Sequence, residues 1–545
     1  MKTTLSNALI DLLSAKGVST FFGVPGDYIV QFCLEIEKRK NLKFVPLSTE
    51  AGAGFAAQAY ARSGASLGVV CVTYGVGGLS MINQVACAYA EMTPLVVISG
   101  GPGRQPQEGL LLHHQVKSPR TQLKIYEEVT EYAAVLDNPE TAYEEICRAI
   151  DVALETMRPV YLELPRDMVD QEILVPKEMT RFKISIDQGG LEEASQEMVE
   201  QIQKAERPVL VVGIEVHRRR LREQVVALAE KLGCPVASDF LARGTFPLNH
   251  SQYVGTYLGD ASESGVQEIV EGSDCLILLG SLMADTNLSY HFLRMDPNKI
   301  IHALGHQMTI RHHKYENTSL PLLLEKLLTS PKIRSKKSKF KARQLPRFSL
   351  PELTDKPVTT RDIVQITNYF LQNEKQLILI ADTGDSIFIS YEIQADRVMA
   401  PAFYATMGFA IPSGLGVQIG RGERPIILLG DGSFQMTGLE ISHCSRYGVN
   451  PIVILLNNER WGMLQSILPA NYNNLIPWSY SEMARLWGGD GFLVKTPREF
   501  KEALWKVYAS NRFSLIEVLL QPGDITETLQ KYIGDLQKSR KVNSR

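Results

Sequence analysis

Gly430-Asp431-Gly432 closes one apolar run of the sequence, and Asn457-Asn458 closes the next. An apolar run, a helical pattern and a second apolar run predict a parallel β-α-β unit. Both strands of such a unit end at the same edge of the sheet, where open α/β folds bind ligands. Asp431 and Asn458 should therefore lie close together. A carboxylate and an amide oxygen are hard ligands, which favours Mg²⁺ held together with diphosphate oxygens.

The residues around Asp431 suit contact with phosphate. Gly430 and Gly432 let the backbone approach a ligand closely, and Ser433 falls where a helix N-terminus offers free N–H groups. An aspartate cap and an asparagine turn are the plain alternatives, and each is common alone. The joint pattern is rarer. No GxxxxGK[ST] segment occurs, which argues against a phosphate-loop NTPase.

Two further groups could move protons. His113 and His114 follow an apolar run, and adjacent imidazoles rarely bind one metal ion. Since histidine titrates near neutrality, a proton-handling pair is the better functional hypothesis, although a loop histidine pair is more often structural. Glu50 follows the strand pattern KFVPLST and opens a helix of small residues. Taken alone, it is an acid stabilised at a helix N-terminus.

The elements that must position these residues alternate between short β-branched runs and longer helical patterns. This alternation predicts α/β architecture with three doubly wound parallel-sheet domains. Residues 168 to 192 carry Pro, Gly and many charges, and residues 331 to 357 hold nine Lys or Arg and four Pro, so both are predicted linkers. The predicted domains are 1–168, 190–330 and 358–545.

Composition limits the partners. The 545 residues carry 57 Lys and Arg against 60 Asp and Glu, a net charge of −3, which favours neither nucleic acid nor an anionic membrane. The seven Cys form no CxxC pair and suit reduced thiols in the cytoplasm. No apolar stretch approaches the about 20 residues of a membrane helix, and no export signal is recognised.

The Gly430-Asp431-Gly432 and Asn457-Asn458 pattern resembles the motif of thiamine-diphosphate enzymes. FFGVPGDYIV and STEAGAGFAAQAYAR resemble the start of the pyruvate and indolepyruvate decarboxylase branch, and the likeness covers essentially the whole chain. The resemblance implies thiamine diphosphate and Mg²⁺ as cofactors. It implies as metal ligands Asp431, Asn458 and the backbone carbonyl of Arg460.

The same resemblance implies roles for other residues. Glu50 would be the acid that hydrogen-bonds the aminopyrimidine ring, acting from one subunit on the cofactor held by another, in a homodimer or a dimer of dimers. Met407 would support the bent cofactor, although Met also fills cores well. Thr383 and Asp385, in IADTGDS, would contact the cofactor, although both are also typical turn residues.

On the substrate side, the resemblance implies catalytic roles for Asp27, in GVPGD, with His113, His114 and Glu50. This combination distinguishes the decarboxylase branch from relatives of the acetolactate-synthase type. Thr73, in CVTYGVGG, matches a residue on the substrate side. The small-molecule substrate is therefore expected to be a 2-keto acid that loses CO₂ to give an aldehyde.

One residue departs from the pattern of pyruvate-specific members. They carry a glutamate shortly after the asparagine pair, where this chain has Leu464. Phenylpyruvate-type members can be apolar there, so phenylpyruvate or indolepyruvate is the expected substrate. Asp285 could substitute for the missing acid, and a turn or cap role is equally open. A carboligase of the acetolactate type and a catalytically silent cofactor-binding homologue remain as alternatives.

Overall fold

A computed structural model of the chain describes residues 2–104, 111–176, 181–292, 295–333, 347–374 and 377–543. Part of the second predicted linker, residues 334–346, lies outside the described residues. The described chain forms three main sheets, each with helices packed around it. The prediction of three parallel-sheet α/β domains is thereby confirmed.

The first domain contains a six-stranded parallel sheet whose strands are rich in Val, Ile and Phe, because both faces are covered by helices. The strands of this domain are β1 (Lys2–Thr4), β2 (Thr20–Gly23), β3 (Lys43–Pro46), β4 (Gly68–Val72), β5 (Leu95–Gly101), β6 (Tyr132–Val135), β7 (Val160–Pro165) and β8 (Glu172–Leu174). The six-stranded sheet consists of β2 to β7. Its helices are α1 (Leu5–Ala15), α2 (Val30–Glu37), α3 (Glu50–Arg62), α4 (Val76–Ser80), α5 (Ile82–Ala90), α6 (Thr121–Glu127) and α7 (Ala142–Thr156). The first predicted linker contains β8, which pairs with β1 in a small antiparallel sheet.

The middle domain has a seven-stranded sheet in which a parallel core ends in an antiparallel meander. Its strands are β9 (Pro208–Val212), β10 (Val236–Ser238), β11 (Tyr253–Thr256), β12 (Cys275–Leu279), β13 (Ile300–Leu304), β14 (Gln307–Ile310) and β15 (His313–Glu316). Its helices are α8 (Gln188–Lys204), α9 (Ile214–Arg218), α10 (Arg222–Leu232), α11 (Val266–Glu271), α12 (Asp285–Phe292) and α13 (Leu320–Thr329).

The third domain again has a six-stranded parallel sheet. Its strands are β16 (Ile378–Ala381), β17 (Val398–Met399), β18 (Pro425–Gly430), β19 (Ile452–Asn457), β20 (Asp490–Val494) and β21 (Ser514–Leu519). Its helices are α14 (Thr360–Leu371), α15 (Asp385–Glu392), α16 (Ala410–Arg421), α17 (Asp431–Thr437), α18 (Cys444–Tyr447), α19 (Gly462–Ile467), α20 (Tyr480–Leu486), α21 (Pro497–Tyr508) and α22 (Glu527–Asn543). Short 3₁₀ turns occur at Arg166–Met168, Gly259–Ala261, Pro297–Lys299, Gly438–His443 and Asn471–Asn473.

The first and third sheets have the same strand order. Their orders are β3-β2-β4-β5-β7-β6 and β17-β16-β18-β19-β21-β20. In each, the first strand lies between the second and the third, so the chain direction across the sheet reverses beside it. Open α/β sheets bind ligands at the carboxyl ends of the strands that flank such a reversal. The topology therefore predicts one ligand-binding edge in the first domain and one in the third.

The first and third domains share a hydrophobic core. Helices α3 and α16, which follow the second strand of their respective sheets, pack against each other across this boundary. A Cβ atom at Gly416 would lie 2.1 Å from the carbonyl oxygen of Ala56, so only glycine permits this approach. Close packing thus explains the Gly-rich segment of α16. In the part of the chain that is described, no helix is long and apolar enough to cross a membrane.

Candidate active site

A cavity of about 240 Å³ opens at the carboxyl edge of the third sheet. It lies where β18 ends at Gly430 and α17 begins at Asp431, next to the end of β19. We call it the third-domain cavity. The residues predicted to bind cofactor or metal that line it are Thr383, Asp385, Met407, Gly430, Asp431, Gly432, Ser433, Asn458 and Arg460.

Asp431 is the buried acid of this cavity, with 2% of its surface exposed. Its Oδ1 atom accepts the Gly432 amide at 2.8 Å, whereas Oδ2 is buried and has no hydrogen-bond partner among the described residues. Burial raises the pKa of Asp431 to about 6, although nearby backbone amides partly oppose the shift. An ionised carboxylate with an unused buried oxygen is costly unless a cation binds it.

The turn after β19 carries the other two predicted metal ligands, Asn458 and the Arg460 carbonyl. Glu459 has a left-handed backbone, with φ 55°, and the Arg460 amide donates to Asn458 Oδ1 at 3.2 Å. The backbone amides of this turn also partly oppose the rise in the pKa of Asp431. Asp431 Oδ2, Asn458 Oδ1 and the Arg460 carbonyl would give a metal ion in this cavity an all-oxygen donor set. Such donors fit Mg²⁺, which prefers hard oxygen ligands and retains water or phosphate oxygens.

The other predicted cofactor residues come from the segments around β16 and before α16. Asp385 begins α15, and its carboxylate accepts the Thr526 amide at 3.0 Å and the Thr526 hydroxyl at 2.5 Å. Burial raises the pKa of Asp385 to about 6, and the two Thr526 hydrogen bonds lower it in part. Ser433 donates its hydroxyl to Asp382 at 2.8 Å.

At the carboxyl edge of the first sheet, Asp27, His113 and His114 form a cluster that we call the His-Asp cluster. Their ligand atoms lie within 4.8 Å of one another. Asp27 Oδ2 is 2.5 Å from His113 Nε2, and Asp27 Oδ1 is 3.7 Å from His114 Nε2. Thr73, which follows β4, donates its hydroxyl to Asp27 Oδ1 at 3.2 Å. The structure thus brings these four predicted residues together.

Backbone geometry fixes one member of the His-Asp cluster. His114 has φ 69°, and Gly75 packs against it so closely that a Cβ atom there would lie 2.1 Å from the His114 carbonyl oxygen. Tyr28 stacks on the His113 ring at 4.9 Å between ring centroids. Partial burial would raise the pKa of Asp27, but hydrogen bonds with His113 and Thr73 and the two imidazoles outweigh it and lower the pKa.

Glu50 is the first residue of α3, directly after the cap residue Thr49. The neighbouring backbone amides of Ser48 and Thr49 each donate to the buried carboxylate of Glu440, at 3.0 Å. Glu440 belongs to the third domain, so it ties the start of α3 to that domain. Glu50 and the His-Asp cluster are not among the residues that line the third-domain cavity of the same chain.

Leu464 and Asp285, the two residues that the sequence links to substrate choice, lie in different domains. Leu464, on α19, lines the third-domain cavity and is 50% exposed. Asp285 begins α12 of the middle domain, where its carboxylate accepts the Thr286 amide at 2.8 Å. Asp285 is not among the residues that line the third-domain cavity of its own chain.

Sequence reasoning missed three residues that hold the site. Asp382 binds the Ser433 hydroxyl, Glu440 binds the start of α3, and Tyr28 stacks on His113. Asp382 directly precedes the predicted Thr383 at a strand end, a position that could have drawn attention to it. Glu440 carries no local signal, because its partners lie in another domain.

Comparison with known families agrees with this arrangement. Residues 3–125 match the N-terminal TPP binding domain of thiamine pyrophosphate enzymes, residues 195–323 match their central domain, and residues 382–518 match their C-terminal TPP binding domain. The chain therefore belongs to the thiamine pyrophosphate enzymes. The resemblance inferred from the motifs is confirmed.

Individual relatives align along nearly the whole chain. An indole-3-pyruvate decarboxylase from Azospirillum brasilense is 38% identical, and the alignment covers 97% of both chains. Pyruvate decarboxylase 2 from Arabidopsis thaliana is 30% identical over 97% of this chain and 90% of its own. A pyruvate decarboxylase from Neurospora crassa is 27% identical over 97% of this chain and 95% of its own.

Proposed function

We propose that this enzyme decarboxylates a 2-keto acid to an aldehyde and CO₂ without oxidation, using thiamine diphosphate and Mg²⁺. The observation that carries the proposal is the buried Asp431, whose Oδ2 atom has no hydrogen-bond partner among the described residues and which lies beside the Asn458–Arg460 turn. The names of its relatives, an indole-3-pyruvate decarboxylase and several pyruvate decarboxylases, support the reaction class. We propose phenylpyruvate or indolepyruvate as the substrate.

In this proposal the third domain binds the diphosphate end of the cofactor. Asp431, Asn458 and the Arg460 carbonyl hold Mg²⁺. Thiamine diphosphate supplies the electron sink for the bond that breaks. The other cofactor contacts are assigned to Thr383, Asp385, Met407, Gly430, Gly432 and Ser433. Domains 1–168, 190–330 and 358–545 then correspond to pyrimidine-binding, central and diphosphate-binding units.

Glu50 is assigned to hydrogen-bond the pyrimidine ring and hold a proton there. Since Glu50 does not line the cavity of its own chain, we propose that it reaches the cavity of a second copy. The smallest active unit is then a homodimer, and two dimers can pair into a tetramer. The partly exposed His-Asp cluster, in which Asp27 is 49% and His113 57% exposed, suits a site that a second subunit completes.

The His-Asp cluster is assigned to the substrate carboxylate and to proton transfer. An imidazole that is hydrogen-bonded to Asp27 can donate a proton to the reacting substrate and recover it afterwards. Thr73 orients Asp27 by its hydrogen bond. Leu464 provides apolar surface for an aromatic side chain, with Asp285 as the candidate substitute acid. Seven buried free thiols suit a reducing cytoplasm.

The test is an assay of CO₂ release with pyruvate, phenylpyruvate and indolepyruvate, each with and without thiamine diphosphate and Mg²⁺. We expect release that depends on both cofactors and is fastest with an aromatic substrate. Identification of the product as aldehyde rather than hydroxyketone separates decarboxylation from carboligation. Cofactor binding without CO₂ release from any substrate would indicate a silent homologue and contradict the proposal.

A further inference from the structure

Asp382 is a fully buried carboxylate at the end of β16. Its Oδ1 atom accepts the Thr383 amide at 3.0 Å, the Gly408 amide at 3.1 Å and the Ser433 hydroxyl at 2.8 Å. Its Oδ2 atom accepts the Ala410 amide at 2.8 Å. Four donors therefore compensate a charge that would otherwise be costly in the interior.

These donors belong to three separate segments, and each segment carries a residue that lines the third-domain cavity. Thr383 lies at the end of β16, Met407 precedes Gly408, and Ser433 lies in the first turn of α17. The segments are distant in sequence and meet at Asp382. One carboxylate thus sets the relative positions of three parts of the cavity wall.

The direction of the Ser433 hydrogen bond limits what Ser433 can do. A hydroxyl has one hydrogen, and here it is donated to Asp382. Toward the cavity, Ser433 can therefore offer its backbone N–H and oxygen lone pairs, but no O–H donor. Lone pairs do not attract phosphate oxygens. The Ser433 hydroxyl is accordingly suited to holding α17 in place.

We propose that Asp382 is a positioning residue for the cofactor cavity, and that the Ser433 hydroxyl serves Asp382 rather than the diphosphate. Loss of the Asp382 carboxylate would allow α17 and the Met407–Ala410 segment to shift. The cavity would then no longer fit the diphosphate, and binding would weaken. The inference rests on the proposed function, because it assumes that thiamine diphosphate occupies this cavity.

The middle domain provides a matched control. Asp239 is also fully buried, follows β10, and accepts the Ala242 amide at 2.8 Å and the Asn287 side-chain amide at 3.0 Å. It does not line the third-domain cavity. Asp239→Asn therefore measures the general cost of neutralising a buried carboxylate in this protein.

The experiment is a double-mutant cycle on the full chain, with thiamine diphosphate binding measured by calorimetry at saturating Mg²⁺. We expect Asp382→Asn to weaken binding by about tenfold to a hundredfold, and Asp239→Asn to leave it within about twofold. Ser433→Ala should weaken binding in the wild-type background and add little in the Asp382→Asn background. Equal losses from Ser433→Ala in both backgrounds would mean direct contact with the cofactor and overturn the inference.

A second measurement decides the matter if Asp382→Asn does not fold. A hydroxyl that serves Asp382 stabilises the protein before cofactor binds, so Ser433→Ala should lower the thermal midpoint of the cofactor-free protein. An unchanged midpoint without cofactor, together with a lowered one with cofactor, would overturn the inference. Failure of the wild-type protein to bind thiamine diphosphate would instead overturn the proposed function.

Discussion

Asp431 presents the clearest electrostatic problem among the single residues of the site. Its carboxylate is buried beside a neutral backbone turn, and burial raises its pKa to about 6. In the cofactor-free protein this shift favours the folded state at low pH, and the benefit is lost as pH rises through about 6. A bound cation would remove that cost, because it stabilises the ionised form.

We expect Asp431→Ala to weaken binding of thiamine diphosphate by about a hundredfold or more at millimolar Mg²⁺, since the variant lacks a metal ligand. In the wild type, Mg²⁺ must displace a proton below about pH 6, so the apparent Kd should rise about tenfold per pH unit there. Calorimetry from pH 5 to pH 8 measures both effects. Unchanged affinity in the variant, or a flat pH profile in the wild type, would contradict the metal site.

Glu50→Gln should retain cofactor but lose most turnover, because an amide cannot hold the proton that the carboxylic acid shares with the pyrimidine ring. We expect kcat and exchange of the cofactor C2 proton, followed by NMR, each to fall by about a hundredfold or more. Glu37 is an exposed acid of the same domain and provides the control. Glu37→Gln should leave kcat and C2 proton exchange at wild-type values. Near-normal exchange in Glu50→Gln would refute the assignment.

His113→Ala and His114→Ala should each lower kcat by about a hundredfold while cofactor affinity stays nearly constant, since neither lines the third-domain cavity. His113→Ala should also raise the pKa of Asp27, because that carboxylate loses a hydrogen bond that lowers it. The acidic limb of the kcat/KM profile would then move to higher pH. If both variants keep the full wild-type kcat from pH 5 to pH 7, the histidines have a structural role. The control is His250→Ala in the middle domain, which should leave kcat unchanged.

At the scale of elements, α19 carries Leu464, the residue proposed to contact the substrate side chain. It begins at Gly462, just after the turn that carries Asn458 and Arg460, so its first residues line the same cavity as the proposed metal ligands. Leu464 lies on this helix where pyruvate-specific relatives are expected to carry an acid. In the proposed function, this short helix therefore places the residue for substrate selection directly after the metal ligands.

We expect kcat/KM for phenylpyruvate or indolepyruvate to exceed that for pyruvate, because each buried CH₂ contributes about 0.8 kcal/mol. Leu464→Glu should lower the ratio of kcat/KM for the aromatic substrate to kcat/KM for pyruvate, since a charge replaces apolar surface beside the substrate. Leu468→Glu, just beyond α19 and outside the cavity lining, is the matched control and should leave the ratio unchanged. A wild-type preference for pyruvate would show that other residues set the pocket size.

For the whole molecule, a buried ion pair of the first domain is hydrogen-bonded to the third domain through Glu91. Arg62 donates to Glu91 Oε2 at 2.8 Å, and Glu91 Oε1 accepts the backbone amides of Phe403 and Tyr404 at 2.9 Å. Both charged side chains are at most 1% exposed. Glu91 therefore fixes the segment that leads to Met407 against the first domain.

Glu91→Ala should destabilise the protein by about 3–5 kcal/mol, because it leaves the buried Arg62 without its charged partner and leaves two backbone amides without their acceptor. Thermal unfolding followed by circular dichroism measures the loss. The exposed pair of Lys2 and Glu172 is the control, and Glu172→Ala should cost at most about 1 kcal/mol. Similar losses in the two variants would contradict the structural role of Glu91.

The sequence alone determined the local features of this protein. Alternating apolar runs and amphipathic segments predict strands and helices because burial follows a period of two or 3.6 residues. The parallel β-α-β geometry then predicts that Asp431 and Asn458 end at one sheet edge, and the structure brings both to the same cavity. Interactions between residues close in sequence are sufficient to predict such features, because parallel strands all end at the same edge of their sheet.

Contacts between segments far apart in sequence are set by the packing of the folded chain. Glu440 on Thr49, Glu91 on Tyr404 and Asp382 on Ser433 each join such segments. These contacts depend on how whole helices and sheets pack, and no local pattern encodes them. The single chain also leaves Glu50 outside its own third-domain cavity. The physical reason is the same throughout: a buried carboxylate takes whichever donors the packing of distant elements places beside it.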